Sequence, residues 1–192
     1  MSTHLIGIAG YSGCGKSTAA VYLQKRCNAL LINADAEAKR FMASDPDIIN
    51  QLCQIFGTDI YHHGLIDFSR LGERAFASIE MVDKLNSVVH PPFLIYLRKQ
   101  LDTVKADTVI VDAALIKLWH IEHWFSDLWW IDALRETRIQ RILSTGISDF
   151  QARQRVVLQE QLFAAPVVAP WTIISNNGSP ADLYAAIDTF IF

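Results

Sequence analysis

The stretch GYSGCGKST, residues 10–18, joins an apolar run before it, HLIGIA, to another after it, AAVYL. Three glycines and a lone lysine followed by a Ser-Thr pair stand where a strand should turn into a helix. Gly10-x-x-x-x-Gly15-Lys16-Ser17 is the complete phosphate-loop pattern, and a strand before it with a helix after it is the context that pattern requires. Glycines let successive main-chain N–H groups converge on phosphate oxygens that side chains would otherwise screen. A helix starting near Ser17 adds the positive end of its dipole. The stretch therefore predicts a nucleoside triphosphate site built from Gly13, Cys14, Gly15, Lys16, Ser17 and Thr18. Lys16 is expected to reach the β- and γ-phosphates, and the Ser17 hydroxyl to serve Mg²⁺.

The rest of the chain supplies a frame for such a loop. Runs at 5–9, 30–33, 108–112, 128–132 and 171–175 are almost wholly apolar instead of alternating, as parallel strands covered on both faces are. Helical stretches separate them, and their starts are marked by Asp45-Pro46, by Ser148 with Gln151, and by Ser179-Pro180 with Asp182. An α/β fold follows, a five-stranded parallel sheet flanked by helices. At 192 residues, 51% of them hydrophobic, the chain can bury one core and carry a small inserted subdomain. Residues 34–107 are too many for one crossover helix and are expected to form an all-helical insertion. Within it, VVHPP places His90 and Pro91 at a helix junction.

Charge and cysteine usage narrow the partners. A formal charge of -3 gives no general attraction to nucleic acid or anionic membrane, so a polyanion must be held by local clusters of Lys and Arg. The opening MSTHLIG lacks a secretory pattern, and the Trp-rich region is interrupted by His, Glu and Asp well short of about 18 apolar residues. Cys14, Cys27 and Cys53 are odd in number and lack CxxC spacing, which fits reduced thiols in the cytoplasm. A monomer or weak oligomer, free of nucleic acid and membrane, is expected.

Further candidates lie at strand ends, where ligands of open α/β sheets collect. LLINADAEAKRF brings Asn33 and Asp35 to that edge, and TVIVDAALI brings Asp112. Asp35 can accept the proton of an attacking hydroxyl or hold a magnesium-bound water; it can equally cap a helix. Asp112 can orient Mg²⁺ or a water, or close a turn. Arg135, Arg138 and Arg141 recur every three residues, so they form one stripe on a helix, with Arg153 and Arg155 following. Such cations suit the charge of a transferring phosphoryl group, whereas Glu136 and Asp149 nearby suit a solvated charged face. Trp119, Trp124, Trp129 and Trp130 are read as packing.

Taken in order, IGIAGYSGCGKST, LINADAEAKR, GLIDFSRLGERAF, VVHP, VIVDAALI, RVVLQ and IISNNG resemble the dephospho-coenzyme A kinase family over nearly the whole chain. The resemblance implies a P-loop NTPase fold with a helical substrate-binding insertion over 34–107 and a helical lid over 135–163. It implies phosphorylation of the ribose 3′-hydroxyl of dephospho-CoA, with ATP and Mg²⁺. Asp35 then matches the general base, with Lys39, His90, Asp112 and Arg138 on the acceptor side. Lys16 and Arg141 serve the transferring group, and Asn176 to Gly178 match the adenine-side loop.

The chain also departs from the family pattern. Asn33 replaces the first Asp of an Asp-Ala-Asp motif, Phe68 an Arg, Ala114 a Pro, Leu118 a Glu and Thr145 a lid arginine. With Thr145 there, Arg141 or Arg138 must supply the lid cation. Two other functions remain compatible with the loop: a kinase of another small alcohol or nucleoside, and a nucleotide-binding module of weakened activity.

Overall fold

The computed structural model describes residues 3–163 and 167–191. The chain forms two compact units, one of residues up to Asn33 together with those from Lys105 onward, the other of Ala34–Val104. In chain order the elements are β1 (His4–Gly10), α1 (Lys16–Cys27), β2 (Leu30–Asn33), α2 (Ala34–Ser44), α3 (Pro46–Phe56), β3 (Tyr61–His62), β4 (Leu65–Ile66), α4 (Phe68–Ala75) and α5 (Ile79–Thr103). They continue with β5 (Thr108–Asp112), β6 (Asp127–Asp132), α6 (Arg135–Leu143), α7 (Asp149–Leu162), β7 (Thr172–Ser175) and α8 (Pro180–Asp188).

The first unit is built on a parallel five-stranded sheet of order β2-β5-β1-β6-β7, all pairings parallel. The expected strands match within a residue at each end. Near-continuous Val, Ile, Leu and Trp are what such strands need, because helices cover the sheet. Ile6, Ile8, Ile110, Trp129, Ile131 and Ile174 pack with Ala19, Ala20 and Leu23 of α1 and Leu183 and Ile187 of α8 in one core. Trp130, 2% exposed, points to the other face and meets Tyr11, Phe163 and Trp171 edge-on at 5.3 to 6.1 Å. α6 and α7 close a smaller core of Ile139, Ile142, Ala152 and Val156. Because β1 lies between β5 on one side and β6 on the other, the turn after β1 lies where the strand order reverses. That is the ligand-collecting point of such a sheet.

The second unit is organised by α5, which packs against α2, α3 and α4. Val82, Val89, Phe93, Leu97 and Leu101 form its buried seam at helical spacing. Phe41, Phe93 and Tyr96 cluster beside it, with ring centroids 5.1 to 6.2 Å apart. Asp59 accepts from both Arg70 and Arg74, and these bonds hold its carboxyl well below the usual carboxylate range, Arg74 contributing most.

Two expectations about this unit are corrected. The insertion is not all helical: β3 and β4 form a small antiparallel hairpin. His63 and Gly64 both take positive φ in its two-residue turn, as tight hairpins require. Nor is VVHPP a helix junction, since α5 runs unbroken through Pro91 and Pro92. Neither proline can donate to the carbonyl one turn earlier, at Ser87 or Val88, and each lost bond weakens the helix. The apolar seam on both sides of the pair outweighs that cost, so one long helix survives.

Candidate active site

The N-termini of α3, α4, α5, α7 and α8 are capped by the side chains of Asp45, Asp67, Ser78, Ser148 and Ser179. α1 differs: its N-cap is Gly15, at φ 91°, and no side chain caps it. The first N–H groups of a helix lack partners within it, so those at Lys16, Ser17 and Thr18 point outward for an anion. Gly13, at φ 78°, and Gly15 are needed for contact as well as conformation. A Cβ on Gly13 would strike the main chain of Arg138, and one on Gly15 would strike the Asn176 side chain.

Asp112, at the end of β5 and 1% exposed, is the hub of the site. It accepts from Lys16 Nζ, from Ser17 Oγ at 2.8 Å and from Asn33 Nδ2 at 3.4 Å. The sheet register produces this convergence, because Asn33 is opposite Asp112 in the β2–β5 ladder. A buried carboxylate with three donors is well compensated for its desolvation. Asn33 therefore has a definite role here: it donates where an Asp would bring a second negative charge.

The other wall is the loop after β7. Asn176, 5% exposed, donates from Nδ2 to the Cys14 carbonyl at 2.7 Å. Arg141 on α6 reaches the same place, donating from Nη1 to the Asn176 carbonyl at 3.0 Å and from Nη2 to the Gly178 carbonyl at 3.2 Å. Its Nη1 also lies 3.4 Å from the carbonyls of Gly13 and Cys14. Arg141 thus bridges the phosphate loop and the loop of Asn176 to Gly178. Burial pushes the Cys14 thiol up to about 11, so this side chain serves as packing and not as a nucleophile.

The arginine stripe is split. Arg135 is half exposed, whereas the Arg138 side chain is only 5% exposed and donates from Nη2 to Glu160 of α7. Its guanidinium lies over the Tyr11 ring, 4.5 Å from the centroid. Arg138 is therefore turned inward onto Glu160 and Tyr11, and Glu160 was not legible as its partner from sequence. Thr145 spends its hydroxyl on the Ile142 carbonyl, at 2.7 Å, in the turn that ends α6.

In the second unit, Asp35 and Lys39 stand one helical turn apart on α2, both exposed. Asp35 belongs to the first turn of α2, where the helix dipole stabilises negative charge. Lys39 Nζ lies 5.5 Å from the centre of the Phe68 ring. His90 is half-buried on α5, and burial pushes its pKa down to about 4, so its imidazole is neutral at physiological pH.

Comparison with known proteins identifies the family and the fold. The sequence profile of the dephospho-CoA kinase family matches residues 4–182. The chain is 30% identical over 180 residues to a dephospho-CoA kinase of Corynebacterium diphtheriae, covering 91% of this chain and 89% of the relative. It is 26% identical to that of Shouchella clausii, over 95% of this chain and 94% of the relative. Among solved structures, a Thermus thermophilus protein superposes with TM-score 0.74 at 25% identity, over 98% of this chain and 96% of its own. A Campylobacter jejuni dephospho-CoA kinase, 21% identical, shares the fold with TM-score 0.59 over 100% of this chain and 97% of its own. A shikimate kinase of Bacteroides thetaiotaomicron, at 11% identity and TM-score 0.54, shares the fold alone. The phosphate loop, the Asp112 hub and the Asn176 loop all fall within the matched residues, and the chain belongs to the dephospho-CoA kinase family.

Proposed function

We propose that this chain transfers the γ-phosphoryl group of ATP to the ribose 3′-hydroxyl of dephospho-CoA, giving CoA and ADP, with Lys16, Asp35 and Arg141 as the principal acting groups. The carrying observation is the family match over residues 4–182, which runs through every element of the loop and the strand ends. A P-loop kinase of another alcohol and a weakened binding module are not favoured by it.

The steps follow from the side chains. The 3′-oxygen forms a bond to the γ-phosphorus as the bond from that phosphorus to the β,γ-bridging oxygen breaks, and Asp35 takes the hydroxyl proton. A carboxylate is a weak base toward an alcohol, so its main contribution is to orient the oxygen and collect the proton late. Positioning and charge neutralisation then carry most of the rate. Lys16 exchanges the Asp112 carboxylate for phosphate oxygens. Arg141 stands beside the phosphate loop with its donors on main-chain carbonyls, which makes it the cation best placed to replace the arginine that Thr145 lacks. Arg138 would need to leave Glu160 and Tyr11 to do the same. Lys39 and His90 are assigned to the acceptor.

The residues present fit a magnesium ion. Mg²⁺ in kinases needs few protein ligands, because it keeps waters and takes phosphate oxygens. Ser17 Oγ is exposed to the loop with Asp112 behind it to accept its proton, which suits one ligand and one carboxylate behind it. When bound, the ion neutralises charge on the β- and γ-phosphates. Among the described residues no helix is long and apolar enough to cross a membrane. The three free cysteines suit a reducing cytoplasm.

The test is ADP release with dephospho-CoA set against a panel of adenosine, shikimate and gluconate. The proposal expects kcat/KM for dephospho-CoA to exceed the others by at least about 100-fold, since most of the binding contacts would be lost with them. Preference for another alcohol would overturn it.

A further inference from the structure

The phosphate loop is held from outside as well as from within. The main-chain N–H of Ser12 donates to Gln159 Oε1, in the last turn of α7, at 2.7 Å. The residue before Ser12, Tyr11, lies under the Arg138 guanidinium, and Arg138 is paired with Glu160, the residue after Gln159. Two consecutive residues of the loop are thus held by two consecutive residues of α7, one directly and one through α6. Tyr11 is further wedged edge-on against Trp130 at 5.3 Å and Phe163 at 5.8 Å.

This arrangement is costly in a way that packing alone does not explain. Nε and Nη1 of Arg138 are buried with no hydrogen-bond partner among the described residues. Leaving buried donors unmade destabilises a fold, so a guanidinium kept there must secure something else. What it secures is the entry limb of the loop. The Cys14 N–H donates to the Tyr11 carbonyl at 3.2 Å, so once Tyr11 and Ser12 are fixed the turn closes on itself. Gly13 and Gly15 are then launched toward the start of α1.

We propose that Gln159 is a positioning residue for the triphosphate: its carboxamide oxygen fixes Ser12, so the affinity of the loop for nucleotide is set from the α6–α7 pair. It rests on the reading of the loop as the ATP site. A loop already ordered binds without the entropy cost of ordering, and a loop cut from α7 must bear that cost on binding.

The experiment uses the full chain and measures ATP binding by calorimetry with no acceptor present, together with hydrogen exchange at the Ser12 amide. Gln159→Leu should weaken ATP by about fivefold, the worth of one neutral hydrogen bond, and raise KM for ATP while kcat at saturating ATP stays within about twofold. Gln161→Leu, exposed on the same helix, should leave ATP affinity as it is. In wild type without nucleotide the Ser12 amide should exchange slowly, and in Gln159→Leu quickly. Unchanged ATP affinity in Gln159→Leu would overturn the proposal. So would an unprotected Ser12 amide in wild type, a reading that holds even if the variant does not fold. Failure of wild type to bind ATP would instead overturn the reading of the loop, because the exchange signature is recorded without nucleotide.

Discussion

Asn176 donates to the carbonyl of Cys14 across 162 residues of chain, joining the loop after β7 to the middle of the phosphate loop. Asn176→Ala leaves the Cys14 carbonyl, among the described residues, with the long contact from Arg141. The expected cost is about 1–2 kcal/mol of folding stability, read from urea unfolding, with weaker ATP binding. Stability equal to wild type would mean that the two loops hold their shape independently.

Lys16→Ala should lower kcat/KM by at least about 100-fold, since the proposed mechanism then loses a preorganised charge aimed at the transferring group. The far-ultraviolet circular dichroism should match wild type, because Ser17 and Asn33 still donate to Asp112. Retained turnover would overturn the assignment of the loop.

Asp35→Asn keeps the shape of the side chain and removes its capacity to take a proton. Turnover is expected to fall by about 10²- to 10⁴-fold with ATP affinity unchanged, since in the proposed mechanism the group acts on the alcohol and not on the nucleotide. Equal losses in both would point to a role in holding the metal or the fold.

His90 makes stability depend on pH. Its folded pKa of about 4 lies below the unfolded value of about 6.5, so below pH 6.5 the unfolded chain takes up a proton that the folded one refuses. Stability present above pH 6.5 is therefore lost as pH falls toward 4, by up to about 3 kcal/mol, and the loss levels off below that. The difference between wild type and His90→Gln in urea titrations from pH 7 to pH 4 isolates this contribution. Parallel curves would show that His90 takes its proton in the folded state too.

The parts written in local pattern were legible. Apolar runs specified the five strands, Asp45, Ser148 and Ser179 specified helix starts, and the glycine spacing specified the turn into α1. What escaped depends on contacts between distant segments. Two-residue strands such as Tyr61–His62 and Leu65–Ile66 are too short to show alternation. Pro91 and Pro92 obey a local rule that the seam of Val89, Phe93 and Leu97 overrides. The three arginines of α6 share one spacing, yet Glu160 takes Arg138 inward while main-chain carbonyls take Arg141. Spacing along one helix carries no record of what the next helix offers it. Gln159 was visible at the end of RVVLQ, but only the proximity of Ser12 gives it a purpose.

β2 and β5 are neighbours in the sheet, with Asn33 opposite Asp112, although the whole of residues 34–104 intervenes between them. The polypeptide departs and re-enters at adjoining rungs, so a cassette of different length or helix number spliced there would ask nothing of the ladder itself. If the inserted unit holds the acceptor, as proposed, selection or an engineer can retool which alcohol is served while the machinery gripping ATP is inherited intact.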